Sequence, residues 1–117
     1  MIDGNLLADL PARPGPGQES FATILEAGDL QLERIVSTGQ ATPEGEWFDQ
    51  ERDEWVLLLA GSAALRFEDE SDARLLQPGD QVLIASHRRH RVDWTDARHP
   101  TVWLALHFRA HPAAAGR

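Results

Sequence analysis

From residue 30 onward the chain is a succession of short apolar runs cut apart by turn residues, and this punctuation constrains its fold more than any other feature. The runs cover 46–50, 54–60, 63–68, 74–77, 81–85, 90–95 and 101–108, behind a less regular stretch with Leu30, Leu32, Ile35 and Val36. Between them stand Thr42-Pro43-Glu44-Gly45, Gly61-Ser62, Pro78-Gly79-Asp80 and Asp96-Ala97-Arg98. Proline lacks the N–H that a sheet ladder needs, and glycine and aspartate accept the backbone angles of tight turns. Many short strands between such breaks make an all-β barrel or sandwich. No apolar period of 3.6 is sustained after Gly28, which argues against a helical bundle. The 117 residues suffice for one hydrophobic core, not two.

The flanks read differently. Residues 10–17 hold three prolines and two glycines, which exclude helix and central strand. Ser20 can cap a short helix running through Glu26, with Gly28 beyond its end in the left-handed conformation. The expected organisation is an N-terminal arm with that helix over 1–29, a barrel over 30–110 and a frayed tail over 111–117.

Side-chain parity sorts the strand faces. In 90–95 one face carries His90, Val92 and Trp94, the other Arg91, Asp93 and Thr95. In 54–60, Glu54, Val56, Leu58 and Ala60 share one face, and Trp55, Leu57 and Leu59 the other. Both of those faces are apolar, as are both faces of 101–108. Their outer cover must come from another sheet, the N-terminal arm or a second subunit, which points to a homodimer.

Composition removes whole chemistries. The chain has no cysteine and no tyrosine, and all eleven of its basic residues are arginine. Thiol nucleophiles, disulfides, thiolate metal ligands and Schiff-base lysines are therefore excluded. A net charge of -8 sets the chain against nucleic acid and anionic membranes. The one basic cluster, Ser86-His87-Arg88-Arg89-His90-Arg91, alternates between faces. It reads as a solvated outer face for Arg89 and Arg91, or an anion contact at the barrel mouth from Arg88. No apolar stretch approaches the ~20 residues of a membrane span, and the first residues lack signal-peptide character, so a cytoplasmic location is expected. Ser, His and Asp occur without a nucleophile elbow, which disfavours a serine hydrolase.

Two stretches resemble the paired motifs of the cupin superfamily. Glu54, six residues, and Gly61 match the second half of the first motif, whose two histidine positions fall on Trp47 and Asp49. The second begins at Gly79-Asp80, has Ala85 and His87 in place of a proline and a glycine, and keeps its histidine spacing at His90. The resemblance covers roughly 39–108 and implies an antiparallel jelly-roll barrel, often dimeric, with a divalent metal inside.

The resemblance implies Asp49, Glu54 and His90 as metal ligands, with Trp47 unable to ligate; His107, on one face of 101–108 with Trp103 and Ala105, adds a further ligand or acid/base if that face turns inward. Imidazole and carboxylate suit iron, manganese, nickel, zinc or copper. Trp47, Trp94 and Trp103 fall on strands that such a barrel places around its cavity, as flat walls for a small-molecule ligand. The bland alternatives stay open beside these. Glu54 can pair with Arg52 or Arg91, His90 can bond a carbonyl or Asp49, Asp49 can be a turn residue, and the tryptophans can fill the core. The leading expectation is a metal-dependent small-molecule enzyme or binding protein, with oxygenase, isomerase or lyase chemistry. The alternative is a metal-free binding or regulatory dimer with a Trp-lined pocket.

Overall fold

The computed structural model describes residues 1–10 and 19–109. They form eight strands: β1 (Ser20–Ala27), β2 (Leu30–Ser37), β3 (Asp53–Ala60), β4 (Ala63–Phe67), β5 (Arg74–Leu76), β6 (Gln81–Ile84), β7 (His90–Thr95) and β8 (Thr101–Phe108). Every strand pair is antiparallel. A five-stranded sheet runs β1-β2-β8-β3-β6 and faces a three-stranded sheet β5-β4-β7. This is the all-β architecture that the strand punctuation implied, in the jelly-roll form that the cupin resemblance implied.

The expected helix over 20–26 is a strand. β1 pairs with β2 from Ser20↔Val36 to Ala27↔Leu30, so Gly28 and Asp29 form a two-residue hairpin turn. Gly28 does take the left-handed conformation, with φ 58°, but in a hairpin and not at a helix end. Two-residue hairpins demand such angles, and Gly-Asp supplies them. The helical signals were a capping serine and a glycine past the end, and they yield to seven ladder partners on β2. The stretch 46–50 is not a strand either; Phe48 alone makes an antiparallel bridge, to His90. The proline- and glycine-rich stretch is described only at Leu10, and the tail 111–117 lies outside the described residues.

The core sits between the sheets. Val56, Leu58, Val82, Ile84, Trp103 and Ala105 from one sheet meet Ala63, Leu65, Phe67 and Leu76 from the other. Both faces of β3 read as apolar in the sequence; burial makes the face of Glu54, Val56 and Leu58 the inner one. Burying apolar area at ~25 cal/mol per Å² holds the two sheets together. Phe67 is fully buried, with the Arg88 guanidinium 3.7 Å and the Arg74 guanidinium 4.7 Å from its ring centroid. Both arginines are bound to carboxylates there, Arg88 to Asp69 and Glu70, and Arg74 to Glu70. Hydrogen bonds from Arg88 and Arg74 hold Asp69 and Glu70, respectively, below the ordinary carboxylate range. Arg88 thus has its anions within the chain.

Arg91, expected on a solvated face, is instead a clamp. It donates to Asp93 and to the carbonyls of Thr42, Pro43 and Glu46. That fixes the 42–46 loop against β7. On the outer face of the larger sheet, Leu32, Leu106, Trp55 and Leu83 stand in one register row across four strands. Arg34, in the next row, donates to the carbonyls of Leu6 and Ala8, so the N-terminal segment lies against this face.

Candidate functional site in the barrel

Between the sheets lies a cavity of about 140 Å³. Its walls are apolar, from Ile35, Val56, Leu65, Ile84, Val92 and Trp103, and its polar groups include Glu33, Gln50, Glu54, His90 and His107. Phe48 and Phe21, both substantially exposed, stand at its edge.

Strand pairing explains why these groups converge. Glu54 of β3 sits directly opposite His107 of β8, so both side chains emerge on the same face. Glu33 of β2 pairs with Ala105, one diagonal step from His107. His90 enters from β7 in the opposing sheet. His107 Nε2 lies 2.9 Å from Glu33 Oε1 and donates its proton to that carboxylate. His90 Nδ1 is 2.9 Å from the Arg88 carbonyl oxygen, which only accepts, so Nδ1 carries a proton. Its other nitrogen, Nε2, is 3.7 Å from Glu54 Oε1. Glu54, His90 and His107 are 7%, 4% and 8% exposed, a depth at which ionisable groups are rare without a partner. Burial pushes the Glu54 carboxyl above its ordinary value, opposed by the positive charge that His107 and His90 can carry.

The sequence-predicted residues separate into two groups. Glu54, His90, His107 and Trp103 all line the cavity. Trp103 is buried, and its indole N–H donates to Ser37 Oγ at 3.1 Å. Asp49, Trp47 and Trp94 do not line it. Phe48 and His90 exchange both backbone hydrogen bonds, at 2.7 and 3.1 Å, which puts their side chains on one face of the pair. Since His90 points inward, Phe48 and Gln50 do too, and their neighbours Trp47 and Asp49 point away. Asp49 Oδ1 binds His87 Nδ1 at 2.7 Å near the surface, and Trp47 lies beside the Arg91 guanidinium. His87 holds φ 62° there, in the place where the cupin motif has a glycine. Trp94 is turned out by a β-bulge. Ala64 pairs with Trp94 but Leu65 with Val92, so Asp93 is an extra residue and parity reverses beyond it. Thr95 is buried in consequence and Trp94 is exposed.

Glu33, Gln50 and Phe48 belong to the site although the sequence did not single them out. Only the alternation with Ile35 could have placed Glu33 inward, and the irregular pattern of 30–36 hid it.

The donor types suit a divalent ion, but the grouping does not. Among the described residues no three His, Asp or Glu side chains are placed to hold a metal ion. His107 Nε2 is already committed to Glu33, and Asp49 stands outside.

A Ralstonia eutropha protein of solved structure, provisionally named a mannose-6-phosphate isomerase, is 46% identical, with a TM-score of 0.88 over 94% of this chain and 100% of its own. A cupin-2 domain protein of Shewanella frigidimarina matches at 20% identity, over 77% of this chain and 80% of its own, with a TM-score of 0.58. A cupin superfamily protein of Desulfitobacterium hafniense matches at 16% identity, over 88% and 100%, with a TM-score of 0.65. The chain has the cupin fold. No family model matches it, and no curated protein does. It retains the glutamate and the second-motif histidine of the resemblance inside the barrel and puts Phe48 and Gln50 where the first-motif side chains face the cavity.

Proposed function

We propose that this protein is an enzyme that shifts a proton within a small molecule held inside its barrel, the change that interconverts a hydroxy-aldehyde and a hydroxy-ketone. One observation carries this reading: a buried carboxyl, raised by its surroundings, faces the free nitrogen of a buried imidazole across 3.7 Å. Such a pair shares one proton, as carboxylate with imidazolium or as acid with imidazole. Acid/base groups work best when their pKa lies near the working pH, and a raised carboxyl approaches that condition. The name of the Ralstonia eutropha relative, at 46% identity, supports the same class of reaction.

The steps balance without an oxidant. One member of the pair takes the proton from the carbon beside a carbonyl while the other protonates the carbonyl oxygen, giving an enediol. Return of a proton to the neighbouring carbon, with loss of the hydroxyl proton, completes the isomerisation. His107, held by Glu33, faces the same space and orients the substrate oxygens. Apolar walls keep the site low in dielectric, which strengthens each of these interactions. Exchange of substrate α-protons into D2O, followed by NMR over a panel of short hydroxy-aldehydes and hydroxy-ketones, tests the reading. Exchange at least about tenfold above buffer is expected for one member, and none across the panel overturns it.

A metal-dependent form of the reading has one observation in its favour. The Arg88 carbonyl holds the proton on His90 Nδ1, leaving Nε2 with its lone pair toward Glu54, the arrangement metal-bound histidines show. His107 would have to leave Glu33 to join His90 and Glu54 as a third ligand. Elemental analysis separates the two. Substoichiometric iron, manganese, nickel, zinc and copper, unchanged on reconstitution, is the expected result; one tightly held equivalent lost in His90→Ala establishes the metal form.

We further infer that the chain pairs with a second copy through the larger sheet, where the Leu32–Leu106–Trp55–Leu83 row continues past the N-terminal segment. Leu83 in that row is 59% exposed. Sedimentation equilibrium is expected to give a dimer, and Leu83→Arg to weaken it; a monomer at micromolar concentration overturns the inference.

A further inference from the structure

We propose that the polar vestibule beside the cavity receives an anionic group of the ligand, a phosphate or a carboxylate, and that Arg52 is the residue that binds it. The assignment of that ligand as substrate rests on the proton-transfer reading above; the anion site itself does not.

The cavity sets the first condition. A void of roughly 150 Å³ accommodates one benzene. At about 140 Å³, this cavity therefore takes a fragment of some six heavy atoms, and a longer ligand must extend out of it. The space it extends into is a second pocket of about 400 Å³, lined by Gln31, Glu51, Arg52 and Arg109. Glu33, Gln50 and His107 line both spaces, so one molecule can occupy the two at once.

The charges in the vestibule select the ligand. Glu33 is met by His107 at 2.9 Å, and Glu51 by Arg109 at 3.2 Å. Arg52 has no ion pair among the described residues, although the chain carries 19 acidic side chains. Its Nη2 donates to the amide oxygen of Gln31 at 3.0 Å, which leaves most of its five N–H groups for another acceptor. Arg52 is half-buried and positioned by a neutral partner. A planar fork of donors matches the oxygens of a phosphate or carboxylate two at a time. Arg109 is a second cation within reach of the same anion, since its bond to Glu51 is solvent-exposed and weakly held.

Arginine-selective NMR of the full chain tests the site, with inorganic phosphate and glycolate titrated at constant ionic strength against sodium chloride. Saturable shifts of the Arg52 side-chain N–H are expected with one or both anions and not with chloride. In Arg52→Gln, affinity read from backbone amides of 50–53 should fall about tenfold or more, and Arg52→Lys should keep part of it. Equal affinity in wild type and Arg52→Gln, or no binding beyond that of chloride, overturns the proposal.

The same variants separate this proposal from the catalytic one, using α-proton exchange on dihydroxyacetone phosphate and hydroxyacetone. An advantage of about tenfold or more for the phosphorylated compound, lost in Arg52→Gln while hydroxyacetone is little changed, supports both. Exchange on the two compounds at equal efficiency overturns the anion as a substrate determinant and leaves proton transfer standing. Anion binding that depends on Arg52, with exchange on neither compound, upholds the site and sinks the catalytic reading.

Discussion

Glu54→Gln is expected to fold normally and to lose α-proton exchange by about 10²–10⁴-fold, the contribution typical of a positioned acid/base group. Glutamine keeps the size and the hydrogen-bonding capacity of the glutamate beside His90 and His107 but cannot gain or lose the proton. The variant also tests the electrostatics. The Glu54 carboxyl is raised in the folded protein, chiefly by burial. Folded protein therefore holds this proton at pH values where the unfolded chain has released it. The stability that follows is present below the ordinary glutamate value of 4.5 and is lost as pH rises through the raised value. Glutamine has no such dependence. Chemical denaturation should find Glu54→Gln gaining on wild type as pH rises from the acid range toward neutrality. A constant difference across that range would show that Glu54 is not raised, and unimpaired exchange would remove it from the chemistry.

Gly61→Ala is expected to cost about 3 kcal/mol or more, a large share of the 5–15 kcal/mol that holds a domain of this size together. Gly61 holds φ +83°, where a side chain is strained, and its turn packs directly on the start of β8. A Cβ there would collide with Thr101 Oγ1 and stand 2.6 Å from Thr101 Cα and 2.8 Å from the Pro100 carbonyl oxygen. Two of those atoms are backbone and cannot rotate away. Thr101 is fully buried, with its hydroxyl bonded to the Ser62 carbonyl, so β8 itself must shift. That strand carries Trp103 and His107, and the damage reaches the cavity. Gly79→Ala is the control, because Gly79 has φ +96° but open space around it. It should show only the backbone cost, about 1–2 kcal/mol. Urea melts in which the two variants fall within experimental error of each other would show that the close approach does not matter.

The same glycine shows what a motif encodes. In the sequence, Gly61 is one spacing match in a resemblance; in the structure, it is the point where two strands touch. Glu54 and His90 are likewise matched by spacing, and both reach the cavity, because each lies in the regular first part of its strand, ahead of the register shift after Leu58 in β3 and of the bulge at Asp93 in β7. Expectation failed wherever regularity failed. Asp49 and Trp47 belong to a stretch with a single bridge, and one residue of register decides which neighbours face inward. Trp94 follows a bulged residue that nothing in His90-Arg91-Val92-Asp93-Trp94 announces. The helix expected over 20–26 rested on capping signals at Ser20 and Gly28 alone, where β1 instead answers to a partner strand.

The barrel is therefore legible in the amino-acid sequence. Turn residues punctuate the chain locally, and alternation sorts the side chains of each regular stretch onto two faces; both are properties of neighbours in sequence. The site is legible only in part. That Glu33 meets His107, that His90 faces Glu54 from the opposite sheet, and that Arg52 is left beside a vestibule with an amide as partner depend on residues far apart in the chain. Register and sheet packing bring them together, and neither is written in any local pattern. Local patterning thus suffices for β2 to β8 and for sorting their side chains onto faces, and motif spacing adds the inward place of Glu54 and His90. Which other side chains join those two in the cavity is decided by long-range pairing, because a strand's partner and register are set by the whole barrel.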